Sequence, residues 1–206
     1  MRIIIASNNE HKVEEIKKIL GVFHFDVVSL NDAGIDIEVE EDQETFEGNA
    51  YKKAREIFDS LSQEERGNAL VLSDDTGLAV DYLGGAPGVY SARYAGVAHD
   101  YAANNEKLLK ELLGVPLEKR SAKFVTSMVL LGKDMDIRVS GEAAGRILEK
   151  NAGNGGFGYD PLFYSDDLKK SFAESTGDEK NSVSHRGRAL EALIKELNKR
   201  ENSSSL

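Results

Sequence analysis

Leu70-Val71-Leu72-Ser73-Asp74-Asp75-Thr76-Gly77 joins an apolar run to two adjacent carboxylates and then a glycine. The apolar run predicts a buried strand, the carboxylates fall at its end, and Gly77 lets the backbone turn sharply there. Two like-charged oxygen donors held so close together want a cation. Side chains alternate between the faces of a strand, so one of the pair can enter a site while the other anchors the turn. For an isolated Asp-Asp pair the plain reading is an Asx-turn closing a hairpin. The rest of the chain decides between the two.

Toward the N-terminus, residues 2–6 predict a buried strand, and Val13, Ile16, Ile19 and Leu20 recur at helical spacing until Gly21. A second strand is expected at 25–30, and Phe46, Ala50, Ala54, Ile57 and Leu61 mark a second helix. Strands follow at 69–73 and 78–82, and a Gly/Pro-rich connection leads to Val89-Tyr90-Ser91-Ala92-Arg93-Tyr94 and a helix near 100–113. Two long strands at 122–132 and 136–148, joined by Lys133-Asp134-Met135, should form a hairpin. The last helix begins near Ser184 and runs to about Arg200, with Leu190, Leu193, Ile194 and Leu197 as its apolar stripe. Residues 201–206 are expected to fray. With no internal repeat and no long linker, residues 1–200 read as a single α/β or α+β domain with a mixed sheet.

At 206 residues, 40% hydrophobic and 30% charged, the composition is that of an ordinary globular chain with room for a sizeable core. No apolar stretch approaches the roughly 18 residues of a membrane span, and the first residues run into a strand without a cleavage-site pattern. A cytoplasmic protein with no membrane role is expected. The absence of cysteine excludes disulfides, thiolate nucleophiles and Cys-ligated metal centres. His11, His24, His99 and His185 show no i,i+4 pairing, which argues against a histidine-built zinc site. A net charge of −10 argues against a general nucleic-acid or membrane binder, because both rely on broad basic surface. Any anionic substrate must therefore be held locally. Asp32, Asp36, Glu38, Glu40, Glu41, Asp42, Glu44 and Glu47 crowd one segment that has no Lys or Arg. Most of them should form a solvated face, with one or two available to a metal.

Ser7-Asn8-Asn9-Glu10-His11-Lys12 stands where the first strand meets the first helix. Unpaired N–H groups and the helix dipole attract phosphate at such a terminus, and Lys12 adds a full positive charge. The spacing is not that of a Walker loop. Lys53, on the second helix, can join this group. The glycine-dense stretch ending in Phe157-Gly158-Tyr159-Asp160-Pro161 presents two rings suited to stacking on a planar base. Ser184-His185-Arg186 and Lys180 add donors suited to a purine oxygen or a phosphate.

Taken together, Ser7-x-Asn9-x-x-Lys12, Ser73-Asp74-Asp75-Thr76-Gly77-Leu78, Pro87-Gly88-Val89-Tyr90-Ser91-Ala92-Arg93-Tyr94, Phe157-Gly158-Tyr159-Asp160-Pro161 and Ser184-His185-Arg186-Gly187 closely resemble the inosine triphosphate pyrophosphatase family. The resemblance spans nearly the whole chain in the same order. It implies an elongated α/β protein with a central mixed sheet flanked by helices, two lobes around an active-site cleft, and a homodimer. It implies hydrolysis of non-standard purine nucleoside triphosphates (ITP, dITP, XTP) to the monophosphate and pyrophosphate. Carried over by position, Ser7, Asn8, Asn9, Glu10, His11 and Lys12 contact the triphosphate. Asp75 is general base and metal ligand, and Thr76 touches substrate. Phe157, Gly158, Tyr159, Asp160, Lys180, His185 and Arg186 form the base pocket. Glu41 matches the family's second metal ligand best, with Glu40 next.

The chemistry holds together independently of the resemblance. A triphosphate brings about four negative charges into an acidic protein, so lysines and at least one divalent ion must neutralise them. Oxygen ligands without Cys or clustered His select Mg2+, with Mn2+ a possible substitute. Two other readings compete. Asp75-Thr76-Gly77 after an apolar strand is also the local pattern of an aspartic protease, which leaves Lys12, Lys180 and His185-Arg186 unexplained. A non-catalytic nucleotide-sensing module would differ from an enzyme by the absence of turnover.

Overall fold

The computed structural model describes residues 2–21 and 25–203, with side chains through Arg200. Strand β1 (Arg2–Ile5) runs parallel to β2 (Asp26–Ser29) on one side and to β3 (Ala69–Val80) on the other. Ile3 lies opposite Val27 in β2 and Leu70 in β3. Helix α1 (Glu10–Gly21) connects β1 to β2, while α2 (Phe46–Ser60) and the short α3 (Gln63–Asn68) precede β3. Further along come α4 (Tyr101–Glu111), β4 (Ser121–Gly132), β5 (Met135–Ile147), β6 (Phe163–Ser165), β7 (Lys170–Ser171), α5 (Gly177–Val183) and α6 (His185–Ser203). Among the described residues the sheet has seven strands, in the order β2-β1-β3-β4-β5-β6-β7. Its β2-β1-β3 part is parallel and its β5-β6-β7 part antiparallel, so the mixed α/β sheet expected from the sequence is present. The expected hairpin is β4–β5, sheet neighbours joined by residues 133–134.

The chain resolves into two compact units. The first comprises Met1–Asp75, Thr126–Gly141 and Arg186–Leu206. Within it Ile3, Ile5, Leu70 and Leu72 pack with Val13, Ile16 and Leu20 of α1 and with Leu190 and Leu193 of α6. The alternate residues Ile4 and Val71 pack with Ala50, Ala54 and Ile57 of α2. Strands covered on both faces have no polar side to show, which is why Ile3-Ile4-Ile5 and Leu70-Val71-Leu72 read as unbroken apolar runs. The second unit comprises Thr76–Val125 and Glu142–His185. Its core gathers Leu78, Val80, Leu108, Leu112, Ala143, Ile147, Leu162 and an aromatic group in which Phe124 meets Phe163 at 4.7 Å between ring centroids.

One expected pair of strands is corrected. Two strands at 69–73 and 78–82 were expected with a turn at Gly77, yet β3 continues from Ala69 to Val80 through both aspartates. A ladder needs only backbone groups, and Asp74 and Asp75 find polar partners on their own sides of the strand. The reversal comes after Val80, at the 3-10 turn Asp81–Leu83, where Gly84 takes φ +63°. Residues 63–68, outside the expected elements, form α3 behind a Ser62/Glu65 capping box. Helix α6 extends to Ser203, while His24 and residues 204–206 lie outside the described residues.

Candidate active site

Asp74 and Asp75 sit in mid-strand, 0% and 4% exposed. Burial of that depth demands partners. Adjacent residues on a strand face opposite ways, so the two carboxylates collect different ones. Asp75 accepts from Asn49 Nδ2 of α2 at 2.9 Å. Its backbone carbonyl accepts from Thr126 Oγ1 of β4 at 3.1 Å. Asp74 is paired with Lys12 of α1 and with Arg186 of α6, each at 3.2 Å. Arg186 is buried, and its other terminal nitrogen meets Glu15 of α1.

Helix α2 delivers two side chains from one face, because residues four apart lie one above the other. Asn49 reaches Asp75, and Lys53 donates to the Asp74 carbonyl at 2.6 Å and to the Glu41 carboxylate. Asn49 is itself oriented, since its Oδ1 accepts from Gln43 N at 2.9 Å. Ser73 Oγ donates to the Ala50 carbonyl at 2.5 Å and ties the helix to the strand. Residues 35–41 alternate: Ile35, Ile37 and Val39 pack toward the core, and Glu41 follows them inward as the half-buried member of the acidic run. Asp36, Glu38, Glu40 and Asp42 face solvent.

Burial pushes the Asp75 carboxyl above the ordinary aspartate range; the charge of Glu41 adds to that rise, while Lys53, Lys12 and the Asn49 hydrogen bond oppose it. For Glu41 burial acts in the same sense, but Lys53, through charge and hydrogen bond, and Lys12 outweigh it and hold the carboxyl low. Burial works against the Lys53 ammonium, yet Glu41, Asp75 and Asp74 outweigh it and keep the group cationic. Two neighbouring carboxyls are thus pushed in opposite directions, Glu41 down and Asp75 up.

At the start of α1, Asn9 Oδ1 accepts from Lys12 N at 3.3 Å and Ser7 Oγ accepts from Asn9 N at 3.2 Å. Ser7, Asn9 and Lys12 are half-buried, whereas Asn8, Glu10 and His11 are exposed.

The second unit carries the other expected residues. Asp160 Oδ2 accepts from Phe157 N at 2.9 Å and from Lys180 Nζ at 2.7 Å. The Lys180 ammonium also lies 4.7 Å from the centroid of the Phe157 ring. Gly156 has φ +70°, and a Cβ there would overlap the Asp160 carboxylate, so the loop requires glycine at this point. Tyr159 does not present its ring as Phe157 does. It is 5% exposed, packed in the core, with its hydroxyl donating to the Ser91 carbonyl at 2.9 Å. His185 is buried and stacks on Phe124, 4.7 Å between centroids and 17° between planes. Thr76 is half-buried. The structure thus gathers Phe157, Asp160 and Lys180 into one cluster, and gives Arg186 to the carboxylates of the first unit.

Asn49, Glu15 and Thr126 are site residues that sequence reasoning missed. Asn49 stands four residues before Lys53, and Glu15 three after Lys12, spacings that place each on the face of a residue already singled out. Thr126 carried no signal.

These features define a class: an open mixed α/β sheet in which an interior strand carries buried carboxylates clamped by lysine and arginine. The chain belongs to the Ham1 family, which matches residues 3–196. It is 54% identical to a dITP/XTP pyrophosphatase of Clostridium perfringens over 193 residues, 93% of this chain and 95% of that protein. A dITP/XTP pyrophosphatase of Thermoanaerobacter pseudethanolicus is 46% identical over 200 residues, covering 97% of this chain and 98% of its own length. The structure of the Staphylococcus aureus Ham1 protein superposes with a TM-score of 0.84 at 37% identity, covering 97% of this chain and 100% of that one. The family expected from the motifs is the family found. No described helix is long and apolar enough to cross a membrane.

Proposed function

We propose that this protein hydrolyses dITP and XTP, and ITP with them, to the nucleoside monophosphate and pyrophosphate. Family membership and the names of the curated relatives support the reaction class, and Asp75 carries the chemistry. A buried carboxylate oriented by Asn49 is suited to take the proton of an attacking water. Release of pyrophosphate requires that water to attack the α-phosphorus. Lys12 and Lys53, with Ser7 and Asn9, supply donors and charge for the phosphates.

The donor set fits a divalent cation. Among the described residues no three His, Asp or Glu side chains gather as a ready-made metal cage. Mg2+ does not need one, since it is commonly held by one or two carboxylates together with substrate phosphates and water. Asp75 and Glu41 are the proposed ligands for Mg2+, with Mn2+ as a substitute. When bound, the ion offsets phosphate charge and polarises the reacting phosphorus. Phe157 is the proposed stacking platform for the base, flanked by Asp160 and Lys180. His185 and Arg186 are proposed donors to the six-keto oxygen, which adenine lacks. A homodimer in the cytoplasm is the proposed setting.

The protease reading finds no support in a Ham1 family chain whose Asp75-Thr76-Gly77 lies inside a strand. The test is to incubate the protein with dITP, XTP, ATP and GTP in the presence of magnesium. Pyrophosphate from dITP and XTP, with far slower turnover of ATP and GTP, supports the reading. No turnover of any of them would leave a nucleotide-sensing module.

A further inference from the structure

The segment Gly88–Arg93 has no role in the chemistry above. In the second unit it forms a 3-10 turn around Ser91, which is 7% exposed. Ser91 Oγ accepts from Leu78 N at 2.8 Å and donates to the Gly88 carbonyl at 2.6 Å. Its own carbonyl accepts from the Tyr159 hydroxyl at 2.9 Å. Helix α4 grips the same turn through Asn104, whose Nδ2 donates to the Ala92 carbonyl at 3.2 Å and whose Oδ1 accepts from Ala95 N at 2.7 Å. The next residue, Asn105, donates from Nδ2 to the Gly158 carbonyl at 3.0 Å.

Asn105 is 8% exposed, and its Oδ1 is buried with no hydrogen-bond partner among the described residues. A buried amide satisfied on one side only is a net cost to stability compared with an apolar side chain of similar shape. Core packing therefore does not account for an asparagine here. What the side chain does accomplish is to hold the peptide at Gly158, a residue at φ +63° whose own backbone is free to swing. Gly158 lies between Phe157, the proposed stacking ring, and Tyr159, which is anchored on Ser91. Phe157 is held on its own side by Asp160, whose Oδ2 accepts from Phe157 N at 2.9 Å, and holding the Gly158 carbonyl restrains the swing of the glycine on its other side.

We propose that Asn105 is a positioning residue for the nucleobase, setting the Phe157 ring through the Gly158 carbonyl. The proposal rests on the reading of this protein as a purine triphosphate pyrophosphatase with its base at Phe157. Because Asn105 acts on the base alone, it should leave the handling of phosphate untouched.

Asn105→Leu, of similar volume, tests this, and Asn105→Ala, which cannot overpack, serves if the leucine fails to fold. KM for dITP and XTP should rise about three- to tenfold, the effect of one lost neutral hydrogen bond, with kcat kept within about twofold. The inhibition constant of inorganic triphosphate, which has no base, should not move, and Tm of the leucine variant should hold or rise. An unchanged KM for the purine nucleotides overturns the proposal. So does an equal loss of affinity for inorganic triphosphate, which would mark a merely structural residue. A parent protein that does not turn over dITP or XTP overturns the functional reading instead, and equilibrium binding of dITP to parent and variant then decides the role of Asn105.

Discussion

Arg186 and Asp74 meet at 3.2 Å with side chains 1% and 0% exposed, joining the first residues of α6 to the middle of β3. Removing one partner of a buried ion pair strands the other charge, which typically costs about 3–5 kcal/mol. Lys12 remains at Asp74, so Arg186→Ala should lose about 3 kcal/mol, the low end of that range. Denaturant unfolding measures it, and a loss below about 1 kcal/mol would show the pair to be solvated. If Arg186 also donates to the six-keto oxygen, the same variant narrows the ratio of kcat/KM for dITP over ATP.

Asp75→Asn should lower kcat by roughly a hundredfold or more, because the amide cannot take a proton from water. The fold should survive, since an amide oxygen still accepts from Asn49. Circular dichroism and single-turnover rates together check this, and near-normal turnover would remove Asp75 from its role.

Lys12→Ala should weaken dITP, XTP and inorganic triphosphate to a similar extent, as expected for a group that contacts phosphate. Phe157→Ala should cost the purine nucleotides about 1–3 kcal/mol of stacking and spare inorganic triphosphate. Competition assays with the three ligands separate the two patterns.

Chelation of divalent ions should abolish turnover and leave the far-ultraviolet spectrum unchanged, with magnesium restoring activity. Glu41→Gln should raise the magnesium concentration needed for half-maximal rate by about tenfold or more. A variant with the parent's magnesium requirement would place the second ligand elsewhere.

Much of this was legible in the sequence because the first unit buries its strands on both faces. Ile3-Ile4-Ile5 and Leu70-Val71-Leu72 had to be central strands, and the periodic helices around them followed. The continuation of β3 through Asp74 and Asp75 was not legible. Two aspartates and a glycine look like a strand end until their partners are known, and those partners come from α1, α2 and α6, far away in the chain. The resemblance puts Glu41 ahead of Glu40 by position alone; the alternation of apolar residues at 35, 37 and 39 that turns Glu41 inward was disguised by the density of acidic residues. Tyr159 looked like a second stacking ring beside Phe157, but its hydroxyl partner Ser91 lies in a turn with no such signature.

The central claim is that water attacks the α-phosphorus with Asp75 taking its proton. Hydrolysis of dITP in water labelled with heavy oxygen, followed by mass spectrometry of both products, tests it most directly. The account predicts the label in the monophosphate and none in the pyrophosphate. Label in the pyrophosphate, or release of orthophosphate in its place, would contradict it.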